Sequence, residues 1–178
     1  MSRGANASIT LRPIREEDME LLYRVYYSTR EEELRMIVDW TDEMKEAFVR
    51  QQFSAQHAWY QEHYVGAKFD VVLVDGVPAG RLYVHRRERE IRLVDITLLP
   101  EVRNRGIGGA LLADLLAESE ATGKPLTIHV EKFNPAMRLY QRLGFRSIED
   151  RGPYDLLEWR PSSAPPAGEG SLDSKRVS

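Results

Sequence analysis

The chain has 178 residues, no cysteine and a formal net charge of −3, from 25 Lys and Arg against 28 Asp and Glu. That length fits one domain with a sizeable core, and the missing cysteine excludes disulfides, thiolate zinc sites, iron–sulfur clusters and a cysteine nucleophile. The mild acidity argues against a general nucleic-acid binder. No apolar run approaches the ~20 residues of a membrane span, and the first residues lack the apolar centre of a signal peptide, so a cytoplasmic protein is expected.

Ile9 to Leu11 reads as a short strand, and Glu16 to Tyr27 as a helix with an acidic first turn and an apolar face through Met19, Leu22, Tyr23 and Tyr26. A loop with a helical turn follows at Glu31-Glu32-Glu33. Thr41 is placed to cap an aromatic-rich helix reaching about Tyr64. Phe69 to Val74 and Val77 to His85 read as a hairpin around Asp75-Gly76. Ile91 to Leu99 is a third strand, with Ile91, Leu93 and Asp95 expected on one face and Val94, Ile96 and Leu98 on the other. Gly108 to Thr122 is a helix with rows Ile107, Leu111, Leu115 and Leu112, Leu116, stopped by Gly123. A strand at Leu126 to Val130, a helix at Pro135 to Leu143 ending at Gly144, and short strands near 145–148 and 156–159 complete the domain. The order mixes hairpins with crossovers and predicts an α+β fold: a mixed, mostly antiparallel twisted sheet with helices on both faces. The domain is expected over residues 1–160. The Pro-, Gly- and Ser-rich stretch 161–178 has little to bury and reads as a disordered tail.

Chemistry concentrates in the segment Leu98-Leu-Pro-Glu-Val-Arg103-Asn104-Arg105-Gly106-Ile107-Gly108-Gly109. A strand ends there, and a loop rich in Arg and Gly feeds a helix start. Free N–H groups and the positive end of the helix dipole favour an anion, and glycines let a ligand approach the backbone. Leu111 stands where a dinucleotide fingerprint needs glycine, and no G-K-[ST] exists for a P-loop. Arg81, Arg86, Arg87, Arg89, Arg92, Arg103 and Arg105 crowd this region; most read as a solvated hairpin face, with one or two meeting a phosphorylated ligand.

Arg103-x-x-Gly106-x-Gly108, with the preceding strand and Pro100, resembles the acetyl-CoA pyrophosphate loop of the GNAT superfamily of N-acetyltransferases. Asn134-Pro-Ala-Met-Arg-Leu-Tyr140-Gln-Arg-Leu-Gly144-Phe145 resembles the family's downstream segment, though its spacing is one residue tighter than the common form. The resemblance covers about Ile9 to Trp159. It implies a GNAT-like sheet and direct acetyl transfer from acetyl-CoA to a primary amine, with a non-catalytic acyl-CoA sensor as the alternative.

The resemblance assigns Ile96, Thr97 and Leu98 to the pantetheine arm, and Arg103, Asn104, Arg105, Gly106, Ile107, Gly108 and Gly109 to the pyrophosphate. It assigns Asn134 to the pantetheine surroundings and Tyr140 to protonation of the leaving thiolate, which a phenol can do. His129 and Asp95 are the candidates for general base, with Glu131 a third; His129 reads equally well as a structural residue. Tyr27, Trp40, Gln56, Tyr60 and Tyr83 are candidates for the acceptor pocket. His57 and His63 share no metal spacing, so no metal is expected. The expected partners are acetyl-CoA and an amine, small or on a protein, without nucleic acid or membrane; homodimerisation stays open.

Overall fold

The computed structural model describes residues 6–162. Strand β1 (Ile9–Pro13) leads through a 3-10 turn (Glu16–Asp18) to helices α1 (Met19–Ser28), α2 (Glu31–Arg35) and α3 (Asp42–His63). Strands β2 (Lys68–Val74), β3 (Val77–Arg86) and β4 (Ile91–Leu98) follow, then a second 3-10 turn (Pro100–Val102) and α4 (Ile107–Thr122). β5 (Leu126–Glu131), α5 (Met137–Leu143), β6 (Arg146–Arg151) and β7 (Tyr154–Trp159) complete it. Most of the predicted tail, from residue 163 on, lies outside the described residues. Ser162 donates to Glu120 of α4 from its backbone N and its Oγ, at 3.2 and 3.0 Å.

Local chemistry explains the boundaries. Thr41 Oγ1 accepts from Met44 N at 3.2 Å and starts α3. Asp75 and Gly76 both hold positive φ, 51° and 79°, as a tight hairpin turn requires. The helix expected from Glu16 begins instead as a 3-10 turn. Asp18 accepts from Arg15 N at 2.7 Å and from both terminal nitrogens of Arg12 at 2.7 and 2.8 Å, which fixes that turn against β1.

One mixed sheet runs in the order β1-β2-β3-β4-β5-β7-β6. Every neighbouring pair is antiparallel except β4 and β5, which are joined by the α4 crossover and pair in parallel. Their pairing covers only Ile91–Leu93 against Leu126–Ile128. Leu93 pairs with Val84 but Asp95 pairs with Tyr83, so Val94 bulges. The bulge corrects the sequence expectation: Asp95 leaves the face of Ile91 and Leu93 and joins Arg92 and Thr97 on the other.

That second face lies under α3, whose Gln56 and Tyr60 reach Arg81 and Asp95. On the opposite face α4 crosses near Leu98, and its Ile107, Leu111, Leu112 and Leu115 are buried in the main core with Leu82, Leu93, Ile128 and Leu157. Each such side chain contributes about 1.5–3 kcal/mol. A smaller core of Leu22, Tyr23, Tyr26, Leu34, Val49 and Phe53 binds α1, α2 and α3 together.

Candidate active site

Beyond Leu93 and Ile128 the two central strands part. Asp95–Leu98 remain paired to β3, and His129–Glu131 to β7, so no strand fills the space between them. In an antiparallel ladder every second residue turns its N–H and C=O away from the partner. β4 therefore turns the backbone groups of Ile96 and Leu98 toward this opening and those of Thr97 toward β3.

The loop after β4 sits at the N-terminus of α4. Asn104 and Gly106 both take left-handed conformations, with φ of 59° and 78°, and Gly106 is the N-cap of α4. A Cβ at Gly109 would meet nothing within 4 Å, and one at Gly108 only Leu98 Cδ1 at 3.8 Å. Packing within the protein does not require glycine at either position; the missing Cβ leaves room for a ligand to approach the backbone. Arg103 takes an anchoring position: its Nε donates to Leu98 O at 2.9 Å and its Nη2 to Ser28 Oγ at 3.0 Å, tying the loop to β4 and α1.

Asp95 lies two residues past the last β4 residue paired to β5. Its Oδ2 accepts from Arg81 Nη2 at 2.8 Å and from the Tyr60 hydroxyl at 3.2 Å; its Oδ1 accepts from Thr97 Oγ1 at 2.7 Å. Arg81 is only 2% exposed and also donates to Gln56 Oε1 at 2.9 Å. Arg81 and Arg92 thus depart from the solvated face expected of this arginine run: each is buried beside acceptors brought from other strands. Burial, with the charge of Asp95 adding, pushes the Tyr60 phenol far above its usual range. Burial likewise pushes Tyr83 up to about 12, opposed by Arg81.

His129 flanks the opening from β5, one residue past the last pair. Its Nδ1 lies 3.1 Å from Arg92 Nη1 and its Nε2 2.7 Å from Arg151 Nη1. A guanidinium only donates, and a neutral imidazole has one accepting nitrogen. Arg92 is also held by Thr127 at 2.8 Å and by Glu90 at 3.4 Å, and a neutral ring spends its one accepting nitrogen on one of the two arginines. Burial first, then Arg92 and Arg151, lowers the proton affinity of the ring below the usual histidine value.

Tyr140, on α5, is buried and stacks edge-on with Phe145 at 5.5 Å. Its phenol is pushed up to about 12, chiefly by burial and then by the charge of Asp95, with no side-chain hydrogen bond contributing. The structure therefore brings Tyr140 into the field of Asp95. Asn134 Oδ1 accepts from Ala136 N at 2.8 Å in the turn before α5, which starts at Met137. Of the acceptor candidates, Gln56, Tyr60 and Tyr83 gather around Arg81 and Asp95; Tyr27 lines a cavity beside α1, and Trp40 packs on Phe48. Among the described residues no group of three or more His, Asp or Glu is arranged to hold a metal, and no helix is long and apolar enough to cross a membrane.

The family model described as Acetyltransferase (GNAT) family matches residues 22–145, the span from α1 through the β4 loop to the end of α5. The chain belongs to the GNAT acetyltransferase family. Solved GNAT structures share its fold. The PaiA N-acetyltransferase of Thermoplasma acidophilum, solved with coenzyme A, is 20% identical with a TM-score of 0.64, over 86% of this chain and 99% of that one. An acetyltransferase of Thermus thermophilus is 21% identical, with a TM-score of 0.60 over 86% and 97%. The ribosomal-protein-S18-alanine N-acetyltransferase of Escherichia coli is 21% identical, with a TM-score of 0.57 over 92% and 99%. No curated protein sequence matches the chain.

Proposed function

We propose that this GNAT protein is an acetyl-CoA-dependent N-acetyltransferase acting on a primary amine by direct transfer. One observation carries the reading: β4 and β5 part beyond a three-residue seam, with the glycine loop at the start of α4 at one end and Asp95 and His129 on the two parted strands. The coenzyme A complex of the Thermoplasma relative supports the choice of donor.

Acetyl-CoA would supply the activated acetyl thioester. Ile96 and Leu98 would hold the pantetheine arm as an added strand, and the N–H groups of residues 104–109 would hold the pyrophosphate. A backbone N–H beside the Val94 bulge is placed to stabilise an oxyanion.

An amine of pKa ~10.4 must lose a proton before it attacks. Either tautomer spends the one accepting nitrogen of His129 on an arginine, so Asp95 is the better-placed group to receive that proton. Tyr140 stays protonated through the working range and donates a hydrogen bond to the departing sulfur; with its phenol at about 12 and a thiol near ~8.5, complete proton transfer from Tyr140 is uphill. With no cysteine in the chain, an acyl-cysteine intermediate is excluded and transfer within a ternary complex is the simplest route.

The test is an amine panel with acetyl-CoA, reading released thiol and the mass of the acetylated product. Turnover with at least one primary amine is expected. Tight acetyl-CoA binding without turnover across the panel would favour the acyl-CoA sensor.

A further inference from the structure

Helix α3 has two apolar faces. Val49 and Phe53, on the inner one, are buried in the smaller core, and the hydroxyl of Tyr60 on the same side reaches Asp95. At about 3.6 residues per turn, Met44, Phe48, Ala55 and Trp59 fall in a second stripe on the outside of the helix. Met44, Phe48 and Trp59 are 49%, 40% and 47% exposed, and Ala55 is exposed too. No charge interrupts the stripe. Glu46 and Arg50 turn to α1, where Arg50 binds Glu20, and Lys45 stands at the border. The exposed rings are held in place: Trp40 packs edge-on against Phe48 at 5.2 Å, and His63 stacks on Trp59 at 4.1 Å. Val38 and Val65, both well exposed, prolong the apolar surface past the two ends of the helix.

The stripe is its own complement. Reversed about the midpoint between Gln51 and Gln52, it falls on itself: Met44 comes level with Trp59, and Phe48 with Ala55. A large side chain thus meets a small one near the centre, as packing ridges into grooves requires, and a self-matching patch is the geometry of a two-fold interface. Gln51 and Gln52 come beside their own copies at the axis, where a carboxamide both donates and accepts. Antiparallel pairing also sets each helix N-terminus beside the other's C-terminus. An anionic lipid surface suits the stripe less well, because the helix ends carry Asp42, Glu43 and Glu62 rather than a set of Lys and Arg.

We propose that α3 is the interface of a two-fold homodimer, in which two copies pack antiparallel with Phe48 over the partner's Ala55 and Met44 beside the partner's Trp59. The 22 residues of α3 make a face ~33 Å long and ~10 Å wide. That is small beside the ~800 Å2 per partner of a standard interface, so the dimer forms at micromolar rather than nanomolar concentration. It braces the helix whose other side carries Gln56 and Tyr60 onto Arg81 and Asp95. The inference does not depend on acetyl transfer.

The experiment is sedimentation equilibrium of the full chain from ~1 to ~200 µM, paired with cysteine cross-linking, which the cysteine-free sequence makes specific. A monomer–dimer equilibrium with Kd of roughly 1–100 µM is expected. Ala55→Glu puts a carboxylate against the partner's Phe48 and should weaken the dimer by about tenfold or more. Gln51→Cys brings two thiols together across the axis and should give a disulfide-linked dimer under mild oxidation. Asp114→Cys, exposed on α4, should cross-link far less. A chain that stays monomeric at ~200 µM overturns the proposal. So does a dimer unaffected by Ala55→Glu, or Gln51→Cys cross-linking no faster than Asp114→Cys, because either moves the contact off α3. If Ala55→Glu does not fold, the cross-linking comparison decides.

Discussion

Gly80 on β3 faces Leu98 on β4, and Gly80→Ala tests whether that contact sets the wall of the opening. An ideal Cβ at position 80 would overlap the Thr97 carbonyl oxygen and lie 2.9 Å from Leu98 Cδ2 and 3.0 Å from Leu98 Cα. Carbon pairs rest at ~3.5–4.0 Å, so the groups must separate by roughly 0.5–1 Å. The Leu98 methyl can swing aside; the Thr97 carbonyl and Leu98 Cα are backbone and move only with the strand. Overpacking of this kind costs about 1–3 kcal/mol. At ~2–4 °C per kcal/mol for a domain of this size, Tm falls by roughly 2–12 °C. Because Thr97 and Leu98 border the opening, acetyl-CoA affinity should fall in the same variant, as read by calorimetric titration. A Tm unchanged within ~1 °C together with unchanged affinity would refute the claim that Gly80 sets the position of β4.

Tyr140→Phe should lower kcat by roughly 10²-fold while leaving acetyl-CoA affinity within about twofold; its Tm should not fall, because no side-chain hydrogen bond is removed. Asp95→Asn should lower kcat by roughly 10²-fold or more, whereas His129→Ala should lower it far less; the reverse pattern would return the base role to His129. Asp18→Asn should destabilise the fold by roughly 3 kcal/mol near neutral pH, measured by urea unfolding. The Arg12 hydrogen bonds hold the Asp18 carboxyl below its usual range, so its contribution is complete above the unfolded value of ~3.9 and is lost as pH falls through the lower folded value. The stability gap between parent and variant should therefore close on acidification below pH ~4.

Much of this architecture was legible because its signals are local. Thr41 needs only Met44 three residues on, and Asp75-Gly76 needs only its own two dihedral angles. The glycine-rich entry to α4 was readable for the same reason, since its glycines and the helix start are contiguous. The pieces that escaped depend on distant partners. Arg81 reads as a surface charge until Gln56, 25 positions earlier, and Asp95, 14 positions later, are folded beside it. The bulge at Val94 leaves no composition signal, yet it decides which face receives Asp95. A carboxylate inside an otherwise apolar strand was the available hint. Asn134 has a local role that no motif announces: a backbone N–H two residues away donates to its carboxamide oxygen.

The three-residue seam between β4 and β5 has a mechanical consequence. It divides the sheet into a four-stranded plate and a three-stranded plate that share a core but little backbone bonding. A molecule lodged in the gap and hydrogen-bonded along one edge behaves as a removable strand, stiffening both plates at once. Donor binding then becomes a folding event in miniature: amide exchange in β5, β7 and β6 slows with occupancy, and the melting temperature climbs with donor concentration by mass action.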